Sequence, residues 1–190
     1  MLIFKSILTN VLSSLYTQFF ESIVLAFLFM YFYEFAKKNG GIKKSILFFF
    51  QKFKENKEFR LLFYFVFYLA MILCRTLLGR SLWVNVLNDV IGTWWIYDAN
   101  GHIYTEGVEN IILFIPFTYL YFCLPKNQTK KKEIVFKSIK YSFLFSVFIE
   151  FTQLFLKLGS FQISDMVFNT LGGFIGGLLL MIFHKSKKES

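Results

Sequence analysis

The segment Ser146–Gly177, SVFIEFTQLFLKLGSFQISDMVFNTLGGFIGG, constrains this chain more than any other. Two apolar runs, each long enough to cross a bilayer, flank a short polar break. Glu150, Gln153, Asp165 and Asn169 punctuate the runs at helical spacing. In hydrocarbon the backbone must satisfy its own polar groups, so such runs fold as helices. Ionisable and amide side chains within them are costly and are usually retained for function. The composition agrees: 56% of residues are hydrophobic and 28 are Phe, against two Pro. A soluble core has no need of so many Phe in unbroken runs. The expected fold is an all-α, polytopic membrane helix bundle.

Five spans are expected, at about Phe19–Ala36, Leu61–Gly79, Val108–Leu124, Ile134–Leu158 and Met166–Phe183, each near the ~20 residues that cross the hydrocarbon. The formal charge of +9 resides in the connecting segments, where orientation charges belong, so no nucleic-acid partner is expected. Lys37–Arg60 holds eight basic residues, Pro125–Lys140 six, and the tail after His184 three. Arg80 is the only basic residue in Arg80–Gly107, and Lys157 the only one near the last turn. The positive-inside rule then places the amino terminus outside and the carboxyl terminus in the cytoplasm. One membrane domain, 1–190, is expected: 1–60 carry the first span and a basic loop, 61–183 the core, 184–190 a basic tail. Met1–Phe20 lacks the features of a cleavable signal.

Ile42, Ile46, Phe49, Phe50 and Phe53 recur at helical spacing between lysines, which predicts an amphipathic helix on the cytoplasmic surface. Met1–Gln18 reads as a similar interfacial helix outside. In the outer loop, Asn100-Gly101 predicts a tight turn pairing Ile96–Asp98 with His102–Tyr104. Trp94, Trp95, Tyr97 and Tyr104 there suit the membrane–water interface or a lid over a lipid-facing pocket. Cys74 and Cys123 fall near opposite ends of their helices, so no disulfide is expected.

With this orientation, polar residues of four segments meet at outer-leaflet depth: Arg75, Glu109, Asn110, Glu150, Gln153, Asp165 and Asn169. Glu150 and Gln153 share a face by their i,i+3 spacing, as do Asp165 and Asn169 by i,i+4. Structural readings stand beside the functional one. Ser164 or Asp165 can cap a helix, Asn169 can clamp two helices, and Arg75 can snorkel. Glu150 is too deep to reach water, so it must pair, be protonated or face a wet cavity, with Arg75 as the expected partner. Gly172, Gly173, Gly176 and Gly177 form overlapping small-xxx-small pairs that admit a close helix crossing. Pro116 removes a backbone hydrogen bond and is expected to kink its helix. No hydrolase, phosphate-loop or metal-binding motif is present, and no cofactor or metal is expected. His102 and His184 are placed on opposite sides of the membrane.

The segments ENIILFIPFTYL (Glu109–Leu120), IEFTQLFLKLGSFQISD (Ile149–Asp165) and FNTLGGFIGG (Phe168–Gly177) resemble the VanZ-like family. Asn110, Pro116, Glu150, Gln153, Asp165, Asn169 and Gly172 fill the family's motif positions. The chain departs where many members carry an Arg and further aspartates; here Ser160, Gln162 and Ser164 stand. The family's namesake is associated with low-level resistance to the lipoglycopeptide teicoplanin. The resemblance implies a multi-pass protein of the bacterial cytoplasmic membrane.

The residues and the resemblance favour binding, or shielding against, an outer-leaflet amphiphile. That ligand would be a membrane lipid, a lipid-linked cell-wall precursor or a lipidated glycopeptide antibiotic. The alternatives are an enzyme acting on a lipid headgroup, a small proton-coupled transporter, and a structural subunit for a membrane-protein partner.

Overall fold

In the computed structural model, residues 2–34, 42–82, 85–97, 103–127 and 129–183 are described. Six α-helices account for most of them: α1 (Leu2–Glu34), α2 (Ile42–Glu55), α3 (Lys57–Leu73), α4 (Glu106–Cys123), α5 (Lys131–Leu156) and α6 (Ile163–Phe183). A π-helical turn, Cys74–Leu78, extends α3. Among the described residues only isolated β-bridges join extended segments. The all-α reading therefore holds. Three stretches are long and apolar enough to cross a bilayer: Ile3–Phe32, Lys57–Leu78 and Ile163–Phe183. Helices α4 and α5 coincide with the third and fourth expected spans but do not belong to that apolar set, because each carries a polar face into the bundle.

Helix α6 is the centre of the architecture and lies between α4 and α5. Its glycines divide the work. A Cβ on Gly172 would collide with the Ile111 carbonyl and stand 2.9 Å from Phe114 Cβ, and one on Gly176 would meet the Ile115 carbonyl. Gly173 and Gly177 instead face Ser142 and Ser138 of α5. Backbones this close leave room only for small side chains. Ser138, Ser142 and Ser146 are accordingly fully buried on the facing stripe of α5. Thr118 Oγ1 donates to the Gly173 carbonyl at 3.0 Å, which ties α4 to α6. A core of Ile72, Leu113, Phe114, Phe117 and Ile149 fills the space among α3, α4 and α5. Helix α4 continues through Pro116, and the Tyr68 hydroxyl donates to the Leu113 carbonyl beside the acceptor that Pro116 frees, at 2.8 Å.

Helix α1 differs from its sequence reading. The interfacial helix and the first span are one helix of 33 residues, because no Gly or Pro interrupts Leu2–Glu34. At 1.5 Å per residue it is about 50 Å long. It lies antiparallel to α3, with Met30 buried against Phe49 and Phe59 at one end and Asn10 bonded to Thr105 at the other. Residues 35–36, the expected end of that span, lie outside the described residues. Helix α2 forms as expected, but its Phe49 stripe packs on α1 and α3, leaving Leu47, Phe48 and Phe50 exposed. Asn56 then caps α3, accepting the Phe59 N–H at 3.0 Å.

Cys74 is buried, Cys123 is half-buried, and both are free thiols. Tyr97 bridges Ile103, and the Tyr104 N–H reaches the Ile96 carbonyl at 2.6 Å, as the expected hairpin requires. Its turn, Asn100-Gly101, lies outside the described residues, as do His102, His184 and the basic tail.

Candidate functional site

The carboxyl ends of α3 and α5, the starts of α4 and α6, and the first half of α1 gather at one end of the bundle. The lysine-bearing segments α2, Lys126–Lys140 and the α2–α3 turn gather at the other. At the first end the two long loops are stitched together by backbone hydrogen bonds. Gly159, Phe161 and Ile163 N–H groups donate to the carbonyls of Ser81, Val86 and Val90 at 3.0, 2.8 and 2.9 Å. The chain can turn there because Lys157 ends α5 in the left-handed conformation (φ 53°) and Gly159 follows at φ 62°. Gly159 also leaves space for the Arg80 stem, whose Cδ would stand 3.1 Å from an added Cβ.

Two arginine–carboxylate pairs form a mouth. Arg75 meets Glu109 at 2.6 Å, and Thr105 Oγ1 donates to the other Glu109 oxygen at 2.5 Å. Arg80 meets Glu106 at 2.8 Å and approaches Asp165 at 3.9 Å, while the Tyr104 hydroxyl donates to Glu106. Glu106 precedes the apolar run that starts at Val108. Burial opposes its charge, but the Arg80 guanidinium and the Tyr104 and Arg80 hydrogen bonds prevail and hold its carboxyl below the usual value. Glu106 is therefore ionised at neutral pH. Arg75, Arg80, Tyr104, Thr105, Glu106 and Glu109 line an open cavity of about 530 Å³, whose far wall is the polar stripe of α1: Asn10, Ser13, Thr17 and Gln18.

Beneath the mouth lies a buried polar layer. Glu150 is 1% exposed and accepts the Gln162 backbone N–H at 2.9 Å. The Gln162 side chain continues to Asp89 at 3.1 Å. Gln153 Nε2 donates to the Thr76 carbonyl at 2.8 Å, one of the acceptors left open where the helix ends. Asn169 Nδ2 donates to Ser146 at 2.8 Å, and Asn110 hydrogen-bonds Asp165. Gln153 Oε1 and Asn169 Oδ1 are buried with no hydrogen-bond partner among the described residues.

The seven expected site residues thus occupy one end of the bundle but separate into two layers. Arg75 and Glu109 line the cavity; Asn110, Glu150, Gln153, Asp165 and Asn169 are buried. The expected partner of Glu150, Arg75, meets Glu109 instead. Glu150 does not face a wet cavity, because the stitched loops cover it and supply a backbone N–H. Thr105, Glu106, Asp89, Gln162 and the α1 residues were not singled out in the sequence. Asn10, Ser13 and Thr17 do recur at i, i+3 and i+7, one face of an otherwise apolar helix.

The VanZ/LLP1 family model matches residues 59–184. Protein VanZ of Enterococcus faecium is 34% identical over 95 residues, which are 49% of this chain and 54% of that protein. The alignment thus spans about half the length of that relative. No solved structure matches. The matched region contains α3 from Phe59 onward, α4 to α6 and every buried polar residue just described, and the chain belongs to the VanZ/LLP1 family.

Proposed function

We propose that this protein binds, or shields against, an amphiphile in the outer leaflet of the bacterial cytoplasmic membrane. The observation that carries the reading is the polar cavity at the mouth, set among outward apolar side chains. Arg75, Arg80, Glu106 and Glu109 can hold a headgroup, while Tyr16, Phe20 and Leu78, all more than two-thirds exposed, offer surface to acyl chains. In this reading α4 and α5 cross the bilayer with the three more apolar helices. The lysine-bearing end faces the cytoplasm and the amino terminus lies outside. A lipid-linked wall precursor and a lipidated glycopeptide both have the required chemistry, and the association of the family's namesake with teicoplanin makes the second a direct object of test.

Native mass spectrometry of protein purified in mild detergent tests the binding. A stoichiometric lipid of one headgroup class, lost in Arg80→Gln, is expected; only bulk membrane lipid, unchanged in that variant, would refute it. Orientation is tested separately. A cysteine at Asn100 should react with an impermeant thiol reagent in intact cells, and one at Lys131 only after permeabilisation. The reverse pattern would place the cavity in the inner leaflet.

A further inference from the structure

The charges of the cavity indicate what kind of headgroup it takes, given that it is a headgroup site as proposed above. Its two arginines are already engaged by its two glutamates, Arg75 with Glu109 at 2.6 Å and Arg80 with Glu106 at 2.8 Å. Asp165 stands 3.9 Å from Arg80, behind the Glu106 pair. An entering phosphate would bring its charge up against the glutamate that already neutralises each arginine. A neutral group meets no such obstacle. It can accept from the Arg80 N–H groups that its carboxylate neighbours do not engage and donate to carboxylate oxygens.

The opposite wall has matching chemistry. Asn10, Ser13 and Gln18 of α1 line the cavity with amides and a hydroxyl, groups that both donate and accept. Asn10 Nδ2 is anchored on Thr105 Oγ1 at 2.8 Å, and Thr105 in turn holds Glu109. The Gln18 amide lies beside Gly79, 3.4 Å from where a Cβ would stand, so the absence of a side chain there leaves it room. This wall lies outside residues 59–184, the region matched to the family. The cavity therefore has one wall from the family core and one from a helix that precedes it.

We infer that the cavity selects an uncharged headgroup rich in hydroxyls and amides, of the saccharide class, over a phosphate, and that Asn10 and Gln18 of α1 are specificity-determining residues for it.

The test is competition in native mass spectrometry. Full-length protein in lipid-free detergent is given equal amounts of a monoglycosyl diacylglycerol and a phosphatidic acid with the same acyl chains. Wild type should retain the glycolipid several-fold over the phosphatidic acid. Gln18→Ala and Asn10→Ala should each reduce glycolipid retention roughly twofold to tenfold, the range for one net hydrogen bond, and leave phosphatidic acid retention unchanged. Gln18→Asn, which keeps the amide, should recover part of the loss. Preference for phosphatidic acid, or none, would overturn the selectivity while leaving the cavity as a headgroup site. Unchanged glycolipid preference in both alanine variants would overturn the role of α1. Retention of neither lipid by wild type would refute the headgroup site and this inference with it.

Discussion

Helices α6 and α1 are both apolar enough to cross a bilayer, yet they are held by different means. Helix α6 is clasped on two faces, its glycines set against α4 carbonyls and α5 serines, and its polar groups bonded across the interface. Helix α1 leans on α3 along one side and leaves Phe20, Leu25 and Leu28 exposed. Hydropathy treats the two alike, because lipid and protein interior are equally apolar. What separates them is side-chain size, since close backbone approach drives association where the hydrophobic effect between helices is absent.

That contrast can be broken most forcefully at Gly173. Gly173→Leu would drive a branched side chain into Ser142, and the close approach leaves no free volume to absorb it. A loss of about 3 kcal/mol or more, or complete loss of monodisperse protein on size exclusion, is expected. Wild-type yield and thermal midpoint for this variant would mean that α6 is not clasped as described.

A smaller effect is expected at the buried polar layer. Glu150→Leu removes the acceptor of the Gln162 N–H and should cost ~1–3 kcal/mol in thermal unfolding, whereas Glu150→Gln, which keeps an acceptor, should recover most of it. Equal damage from both would show that the charge, not the acceptor, holds the loop. For Arg75 and Glu109, a double-mutant cycle with Arg75→Gln and Glu109→Gln should give a coupling of about 0.5–3 kcal/mol. Additive losses would dissolve the pair. The smallest effect belongs to α1. Phe20→Leu lies on an exposed face and should change stability by no more than ~0.5 kcal/mol, while a large loss would make α1 a packed helix like α6.

Much of the clasped half was legible in the sequence. The glycine spacing, the depth of Glu150 and the helical phase of Gln153, Asp165 and Asn169 follow from periodicity alone. The partner of Glu150 did not, because it is a backbone N–H in a loop whose path depends on hydrogen bonds to residues some 70 positions away. Arg75 was assigned to Glu150 on depth, but Glu109 competes for it from the first turn of α4 and has Thr105 to orient it. The extent of α1 was missed for a simpler reason. Met1–Gln18 was read as an interfacial helix separate from the first span, although nothing in Leu2–Glu34 stops a helix.

The turn at Cys74–Leu78 makes the site depend on chain length as well as on residue type. In an uninterrupted α-helix, residues five apart point about 140° away from one another. Here the Gly79 N–H reaches back five residues to the Cys74 carbonyl, a π-type closure that brings positions five apart toward a common side. Arg75 and Arg80 are so spaced, and both line the same cavity. A one-residue deletion within this turn would keep every charged side chain and nearly all the apolar surface, yet rotate one arginine away from its carboxylate. Counting the residues between two arginines would then tell more about whether a related chain can assemble this mouth than matching the side chains themselves.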